Sequence, residues 1–277
     1  MPELPEVEIM RRGLARAAGC TIRSFRLPPL RVRPIEMSPG PRSFRRRVVG
    51  RRITSIRRAG KRIVLELDCG ERIVIEPRMS GLVVLADPPD QGHVRMVLEL
   101  SGLAKPLVFW DQRGLGVVRL VGPAEFESRY GAERMGPDAL QISVGALRQR
   151  LSPSRRAVKV ALLDQRAVAG IGNIYASEIL HCSGVHPAQP CNRLQPRQWA
   201  KLHRQMRSVL GEALRRQGST LRDKLFRNAA GEPGKYRFRV YQRAGQPCLQ
   251  CGRAEIVRIV QAQRSTFFCP ACQPRSG

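Results

Sequence analysis

The strongest constraint on how this chain can fold lies near its C-terminal end. Cys248-x-x-Cys251 and Cys269-x-x-Cys272 are separated by 17 residues, the spacing of a four-cysteine zinc site. Two turns each present two thiolates and together close a tetrahedron around Zn²⁺. A site with four protein ligands has no open position, so one structural Zn²⁺ and no catalytic metal are expected. Redox-active C-x-x-C pairs are the competing reading, a weaker one because the two pairs flank an apparent β-hairpin. Zinc ribbons serve many nucleic-acid proteins, so this one does not name a reaction. Cys20, Cys69, Cys182 and Cys191 are scattered and are expected to be buried thiols.

A chain of 277 residues can hold one large domain or two of ordinary size. Its 49 basic against 22 acidic residues give a formal charge of +27. That excess points to a polyanion, with nucleic acid well ahead of a membrane surface. No apolar run reaches the length of a membrane span, and the first residues lack a signal peptide's apolar segment. A cytoplasmic, nucleoid-associated place is the expectation. Between Phe44 and Lys61 there is no acidic residue, while Arg45, Arg46, Arg47, Arg51, Arg52, Arg57 and Arg58 are basic. A solvated strand surface would explain them. Phosphate contact suits the planar guanidinium better. Lys61 stands out only by following Gly60 in an expected tight turn.

The periodicity organises the rest. Pro5 suits the first turn of a helix, and Val7, Met10, Leu14 and Ala17 form an apolar stripe behind it. Glu6 and Glu8 precede Arg11, Arg12 and Arg16, which matches the helix dipole. Residues 21–121 read as strands. Ile63, Leu65 and Leu67 alternate with polar neighbours, Asp68-Cys69-Gly70-Glu71 makes a turn signal, and Ile73 and Ile75 resume the alternation. Short runs separated by Pro and Gly suggest a two-layer β-sandwich. From Ser143 the pattern turns helical through Leu147, Leu151, Val158, Leu162, Ile174 and Leu180, with a long helix from Pro196 to Arg216. The expected fold class is α+β and multidomain: an N-terminal helix plus β-sandwich (1–125), a linker (126–141), a helical domain (142–235) and a zinc finger (236–277).

Helix-start logic explains Pro5 onward but leaves Pro2 and Glu3 over. Methionine before a small residue is ordinarily removed, which would leave Pro2 with a secondary amine. Such an amine can attack an electrophilic carbon and persist as an iminium. An unperturbed α-amino group titrates at about 7.7–8.0, so part of it is free base near neutrality. Glu3 is close enough in sequence to move protons for it. In Gly170-Ile171-Gly172-Asn173 the glycines make a tight turn and Asn173 is expected to cap the next helix, where backbone N–H groups suit a phosphate. A plain helical connection explains the turn equally well. Met79-Ser80-Gly81 and Asp111-Gln112-Arg113-Gly114-Leu115-Gly116 follow strand-like runs; their tips can wedge into a base stack or simply pack.

Together these residues resemble the formamidopyrimidine-DNA glycosylase family, bacterial base-excision repair enzymes for oxidised purines, nearly end to end. The most specific parts are Pro2–Glu8, Gly170-Ile171-Gly172-Asn173-Ile174-Tyr175-Ala176-Ser177-Glu178, and the four cysteines with Gln263-Arg264-Ser265-Thr266. The related endonuclease VIII group typically has glycine where Leu4 stands. The resemblance implies that the helical domain is a helix–two-turn–helix module and that damaged double-stranded DNA is the partner of a monomer. It implies that Pro2 attacks the sugar, Glu3 is the general acid/base, and Lys61 and Arg264 serve DNA binding and proton transfer, with Glu6 in the same signature. It places Lys159, Asn173 and Tyr241 at or near the DNA backbone, with Arg155 a weaker match. Met79 and Arg113 match residues that fill the gap left by a flipped base. Ser219, Thr220 and Arg222 fall in the loop that covers the lesion.

Two departures stand out. The family usually reads Asp-x-Arg-Arg-Phe-Gly where this chain has Asp111-Gln112-Arg113-Gly114-Leu115-Gly116, so Leu115 replaces an aromatic wedge. A common His-Asp-His segment appears as Gln91-Gly92-His93. A zinc-containing DNA-binding protein without catalysis, and a glycosylase for oxidised pyrimidines, are the alternative readings.

Overall fold

A computed structural model describes residues 2–29, 33–220, 226–228 and 231–275. Pro5 lies in the first turn of helix α1 (Leu4–Gly13), and Arg11 and Arg12 close its last turn. Leu4, Val7 and Leu14 are wholly buried. The chain groups into two compact units, Met1–Gly131 with Leu214–Lys235, and Ala132–Ala213 with Tyr236–Gly277.

The strands of the first unit are β1 (Ile22–Arg26), β2 (Glu36–Ser38), β3 (Ile53–Ala59), β4 (Arg62–Leu67), β5 (Arg72–Glu76), β6 (Gly81–Val84), β7 (Val94–Leu100), β8 (Leu107–Asp111) and β9 (Val117–Val121). They make a four-stranded sheet in the order β1-β7-β8-β6 and a five-stranded sheet in the order β2-β9-β5-β4-β3. β2 runs parallel to β9; the other pairs are antiparallel. β4 and β5 pair as the turn signal predicts, Leu65 opposite Ile73 and Ile63 opposite Ile75, but without the expected alternation, because Val64 and Val74 between them are buried on the other face. β8 is buried along its whole length, as a strand covered on both faces must be.

Two stretches differ from expectation. Residues Pro41–Val48 form helix α2, where strands were expected. Pro41 opens the helix, and Phe44 and Val48, four apart, are both wholly buried; that spacing is helical, and the arginines between them mask it. Helix α3 (Pro123–Tyr130) runs from the end of the expected first domain into the stretch expected to be a linker. Phe126 and Tyr130 stack four residues apart at 5.3 Å, and Arg72 and Arg62 lie over their rings at 4.6 and 5.0 Å. Aromatic rings roofed by guanidinium groups carry that helix.

The second unit is helical, then a hairpin. Helix α4 (Val144–Leu151) starts at Ser143, whose hydroxyl caps Ala146 N–H at 3.1 Å. α5 (Val158–Leu162), α6 (Asn173–Ser183) and α7 (Pro196–Arg215) follow. α6 ends at Gly184 in the left-handed region. The hairpin joins β10 (Val257–Gln261) to β11 (Arg264–Phe268). Among the described residues no helix is long and apolar enough to cross a membrane.

Candidate active site and nucleic-acid interface

The N-terminal turn is built by reciprocal carboxylates. Pro2, Glu3 and Glu6 are buried. Glu3 precedes α1 as its cap residue, and Glu6 reaches back to accept from Glu3 N–H at 3.0 Å, a capping box. The other oxygen of Glu6 accepts from both the N–H and the hydroxyl of Ser219, each at 2.9 Å. Glu6 therefore ties the start of the chain to a loop more than two hundred residues away. Gly218 precedes Ser219 at φ +80°, and a Cβ there would sit 2.7 Å from the Phe226 ring. The Thr220 hydroxyl donates to Phe226 C=O at 3.2 Å and accepts from Gly234 N–H at 2.7 Å. Ser219 and Thr220 thus form the anchored base of the loop. Arg222 and Met1 lie outside the described residues.

Glu8, one turn on, holds a second junction. Its carboxylate accepts from Arg11 and Arg12 of the same helix and from Arg58 of β3 at 3.1 Å. Burial pushes this carboxyl up, but the hydrogen bonds and charges of those arginines outweigh it and leave it below the usual range. Arg58 also donates to Gly60 C=O at 2.9 Å. Gly60 and Lys61 form the two-residue turn between β3 and β4, with Ala59 opposite Arg62 and Gly60 at φ +57°. Lys61 is half-buried at that turn. Part of the basic run is engaged internally: Arg57 bonds Glu66 and Arg47 bonds Glu71. Arg45, Arg46, Arg51 and Arg52 are exposed.

The two loop tips are braced by one buried carboxylate. Asp111 accepts from the Ser80 hydroxyl, from Arg113 N–H at 3.3 Å and from Gly116 N–H at 2.7 Å. Arg95, 1% exposed, donates to the carbonyls of Asp111, Arg33 and Gln112. This bracing brings Met79 and Arg113 together, the guanidinium 3.3 Å from the Met79 sulfur. Both are exposed, and Leu115 is half-buried. Gly114 sits at φ +61°, where a Cβ would meet Arg33 C=O at 2.5 Å.

In the second unit, Gly170 turns at φ +103° and the Gln165 amide fastens the turn through Gly170 N–H and Ile171 C=O. The cap of α6 is Gly172 rather than Asn173. The Asn173 side chain is occupied elsewhere: its oxygen accepts from Lys159 Nζ at 2.6 Å and its nitrogen donates to Ser265 C=O at 2.9 Å. Lys159 is wholly buried. Ser265 is on β11 next to Arg264, which is exposed at the hairpin turn. Arg155 is exposed in the connection before α5. Tyr241 donates its N–H to Glu178 at 2.9 Å and packs edge-on against Phe267 at 5.1 Å.

Sequence reasoning missed the supports. Glu178, fully buried, gathers the N–H groups of Arg239, Val240 and Tyr241 and the Tyr236 hydroxyl. Burial pushes its carboxyl up against the pull of those donors. The i,i+3 and i,i+4 pairs of Glu8 were readable locally; Glu178 and Arg95, and the bond of Asp111 to Ser80, pair across the chain and carry no local signal.

The four sulfurs of Cys248, Cys251, Cys269 and Cys272 lie within 4.8 Å of one another. Cys248 and Cys272 are 3.9 Å apart, Cys251 and Cys269 3.7 Å. Tetrahedral zinc with Zn–S bonds of about 2.3 Å requires sulfurs about 3.8 Å apart, so the residues fit the ion. Gln250 N–H and Cys272 N–H point at sulfur, each at 3.4 Å. None of the eight cysteines is in a disulfide; of the scattered four, expected to be buried, only Cys191 is, while Cys20 and Cys182 are half-buried and Cys69 is exposed.

Comparison with known proteins covers the chain in three parts. Residues 1–118 match the formamidopyrimidine-DNA glycosylase N-terminal domain, 135–225 its H2TH domain, and 245–275 the zinc finger found in FPG and IleRS. The formamidopyrimidine-DNA glycosylase of Chloroflexus aurantiacus is 42% identical over 99% of this chain and 98% of its own length. That of Bacillus subtilis is 38% identical over 99% of this chain and all of its own. The crystal structure of MutM (Fpg) from Thermus thermophilus superposes with a TM-score of 0.85 at 36% identity, covering both chains fully. The Lactococcus lactis Fpg bound to DNA containing an abasic site superposes with a TM-score of 0.85 at 30% identity, over 99% of this chain and 100% of that one. With the N-terminal, H2TH and zinc-finger parts all matched and full-length relatives at such identity, this chain belongs to the formamidopyrimidine-DNA glycosylase family.

Proposed function

We propose that this chain is a base-excision DNA glycosylase that removes oxidised purines and then cleaves the strand at the resulting abasic site. The observation that carries the reading is the N-terminal corner. Pro2 and Glu3 are buried side by side, and Glu6 fastens that corner to the Ser219 loop. A nucleophile and a proton carrier held next to each other are what displacement of a base requires.

In the proposed sequence Met1 is absent and the Pro2 nitrogen attacks the sugar C1′. The bond to the damaged base breaks, and the base leaves with the electron pair and takes up a proton. Glu3 assists opening of the sugar ring and leaves an iminium between Pro2 and C1′. The iminium acidifies the neighbouring C2′–H; its loss expels the 3′-side phosphate, and a second elimination expels the 5′-side one. Lys61 and Arg264 bear on the phosphates and on these proton transfers. Met79, Arg113 and Leu115 fill the space of the extruded nucleotide. Lys159, Asn173, Arg155 and Tyr241 support the backbone contacts, and Ser219, Thr220 and Arg222 the covering loop. Zinc takes no part in the steps; it holds the hairpin that carries Arg264. The net charge of +27 suits a monomer on double-stranded DNA, in the cytoplasm with the nucleoid.

Borohydride trapping with an 8-oxoguanine duplex, followed by mass mapping of the adduct, tests substrate class and nucleophile together. A reduced adduct on Pro2 is expected, and Pro2→Gly should abolish or strongly weaken it. No trapped species with any oxidised base refutes the enzyme reading in favour of simple DNA binding. Stronger trapping with thymine glycol than with 8-oxoguanine moves the preference to pyrimidines.

A further inference from the structure

The C-terminal end of α6 is built against the zinc cysteines. Gln273, wholly buried, donates to Val185 C=O at 2.7 Å and accepts from Cys269 N–H at 3.0 Å. A Cβ on Gly184 would stand 3.3 Å from Cys272 C=O. In the last turn of α6 the wholly buried His181 brings its Nε2 to 3.4 Å from the Cys248 sulfur. Its other ring nitrogen, Nδ1, is buried and has no hydrogen-bond partner among the described residues.

A zinc-bound thiolate can only accept a hydrogen bond. The nitrogen facing it must therefore carry the proton, and a proton on Nδ1 instead would be stranded, since a buried orphan N–H is costly. We infer that His181 is an outer-sphere positioning residue of the zinc site, donating Nε2–H to the Cys248 thiolate and thereby locking the zinc finger to α6. The four sulfurs close on one point without it, so the ring supports a ligand rather than being one. Such partners orient the ligand and spread its charge, and their loss typically lowers metal affinity about 10–100-fold. The same α6 carries Asn173 at its other end, bonded to Ser265 of the hairpin. The helix thus grips the zinc finger at both ends.

The inference rests on zinc occupying the four cysteines, and the tests separate the two. On the zinc-loaded full chain, nitrogen NMR of the His181 ring should show the Nε2–H tautomer. Zinc release to excess chelator should be at least about 10-fold faster in His181→Phe, with faster alkylation of Cys248 in peptide maps. His181→Gln, which offers an amide N–H, should recover most of the difference. A zinc-loaded parent with the proton on Nδ1 overturns the inference even where the phenylalanine variant fails to fold. So does parental zinc release from His181→Phe, or equal loss in both variants, since packing would then hold the site. A parent chain that takes up no zinc overturns the zinc assignment, and this inference with it.

Discussion

Replacing Glu6 by glutamine tests whether the N-terminal corner and the Ser219 loop form one unit. The shape is nearly conserved, but one carboxylate oxygen becomes a donor. Glu6 accepts from Glu3 N–H at 3.0 Å and twice from Ser219 at 2.9 Å. The best amide orientation keeps its oxygen toward Ser219 and sets its NH₂ against Glu3 N–H. That loses one bond to a charged group, about 1.5–3 kcal/mol, and downgrades two others by about 1 kcal/mol each. Against this, the carboxylate is 1% exposed, and its desolvation, which the neutral amide escapes, offsets part of the loss. A net weakening of about 2 kcal/mol is about 30-fold in the local opening equilibrium. Hydrogen exchange at the Glu3 and Ser219 amides should therefore be about 30-fold faster in Glu6→Gln, with global unfolding little changed. Borohydride trapping should slow in parallel. Exchange at both amides equal to the parent would refute the claim that this carboxylate joins the two segments.

Cys251→Ser should purify without stoichiometric zinc and lose duplex affinity, read by metal analysis and a binding titration; full affinity in metal-free protein contradicts the structural role. Asn173→Ala removes a partner of the buried Lys159 ammonium and should cost about 1.5–3 kcal/mol in urea unfolding; an unchanged midpoint argues against that pairing. Glu8 has a folded pKa below its unfolded value of about 4.3. Its contribution is present above that unfolded value and lost as pH falls through the lower folded one. Glu8→Gln should flatten the acid limb of a stability–pH curve, and an identical limb counts against the cluster with Arg11, Arg12 and Arg58. Gly114→Ala forces a side chain into the left-handed region, about 1–2 kcal/mol, and toward Arg33 C=O at 2.5 Å; thermal unfolding at the parental temperature would show that the loop relaxes freely.

What the sequence revealed, and what it hid, follows from the range of each interaction. The cysteine spacing and the pairing of β4 with β5 are set by neighbours a few residues apart, and both appear as expected; the stripe from Val7 to Ala17 is buried as expected, but the helix ends at Gly13 and Ala15–Ala17 is a separate 3-10 turn. Helices α2 and α3 were hidden because each shows only two inward side chains four apart, Phe44 and Val48 among arginines, and the half-buried Phe126 with the buried Tyr130, where periodicity over so few residues is faint. The capping role at α6 passed to Gly172 because Asn173 is claimed by Lys159 and Ser265, and no local rule contains a partner so far along the chain.

Gly114 makes the same point at the candidate site. Read as a letter in a motif, it is a missing charge beside a missing aromatic ring. In the fold it is a residue at φ +61° pressed against the Arg33 carbonyl, and Arg95 donates to that same carbonyl at 2.9 Å. Arg95 also holds Asp111 C=O, and Asp111 in turn fixes Ser80, Arg113 and Gly116. The glycine thus lets the tip pack closely on the segment at Arg33. Gly114 and Leu115 are thus one departure from the family pattern in the structure as well as in the sequence: the glycine meets the Arg33 carbonyl where a Cβ would clash, and the half-buried leucine stands beside it.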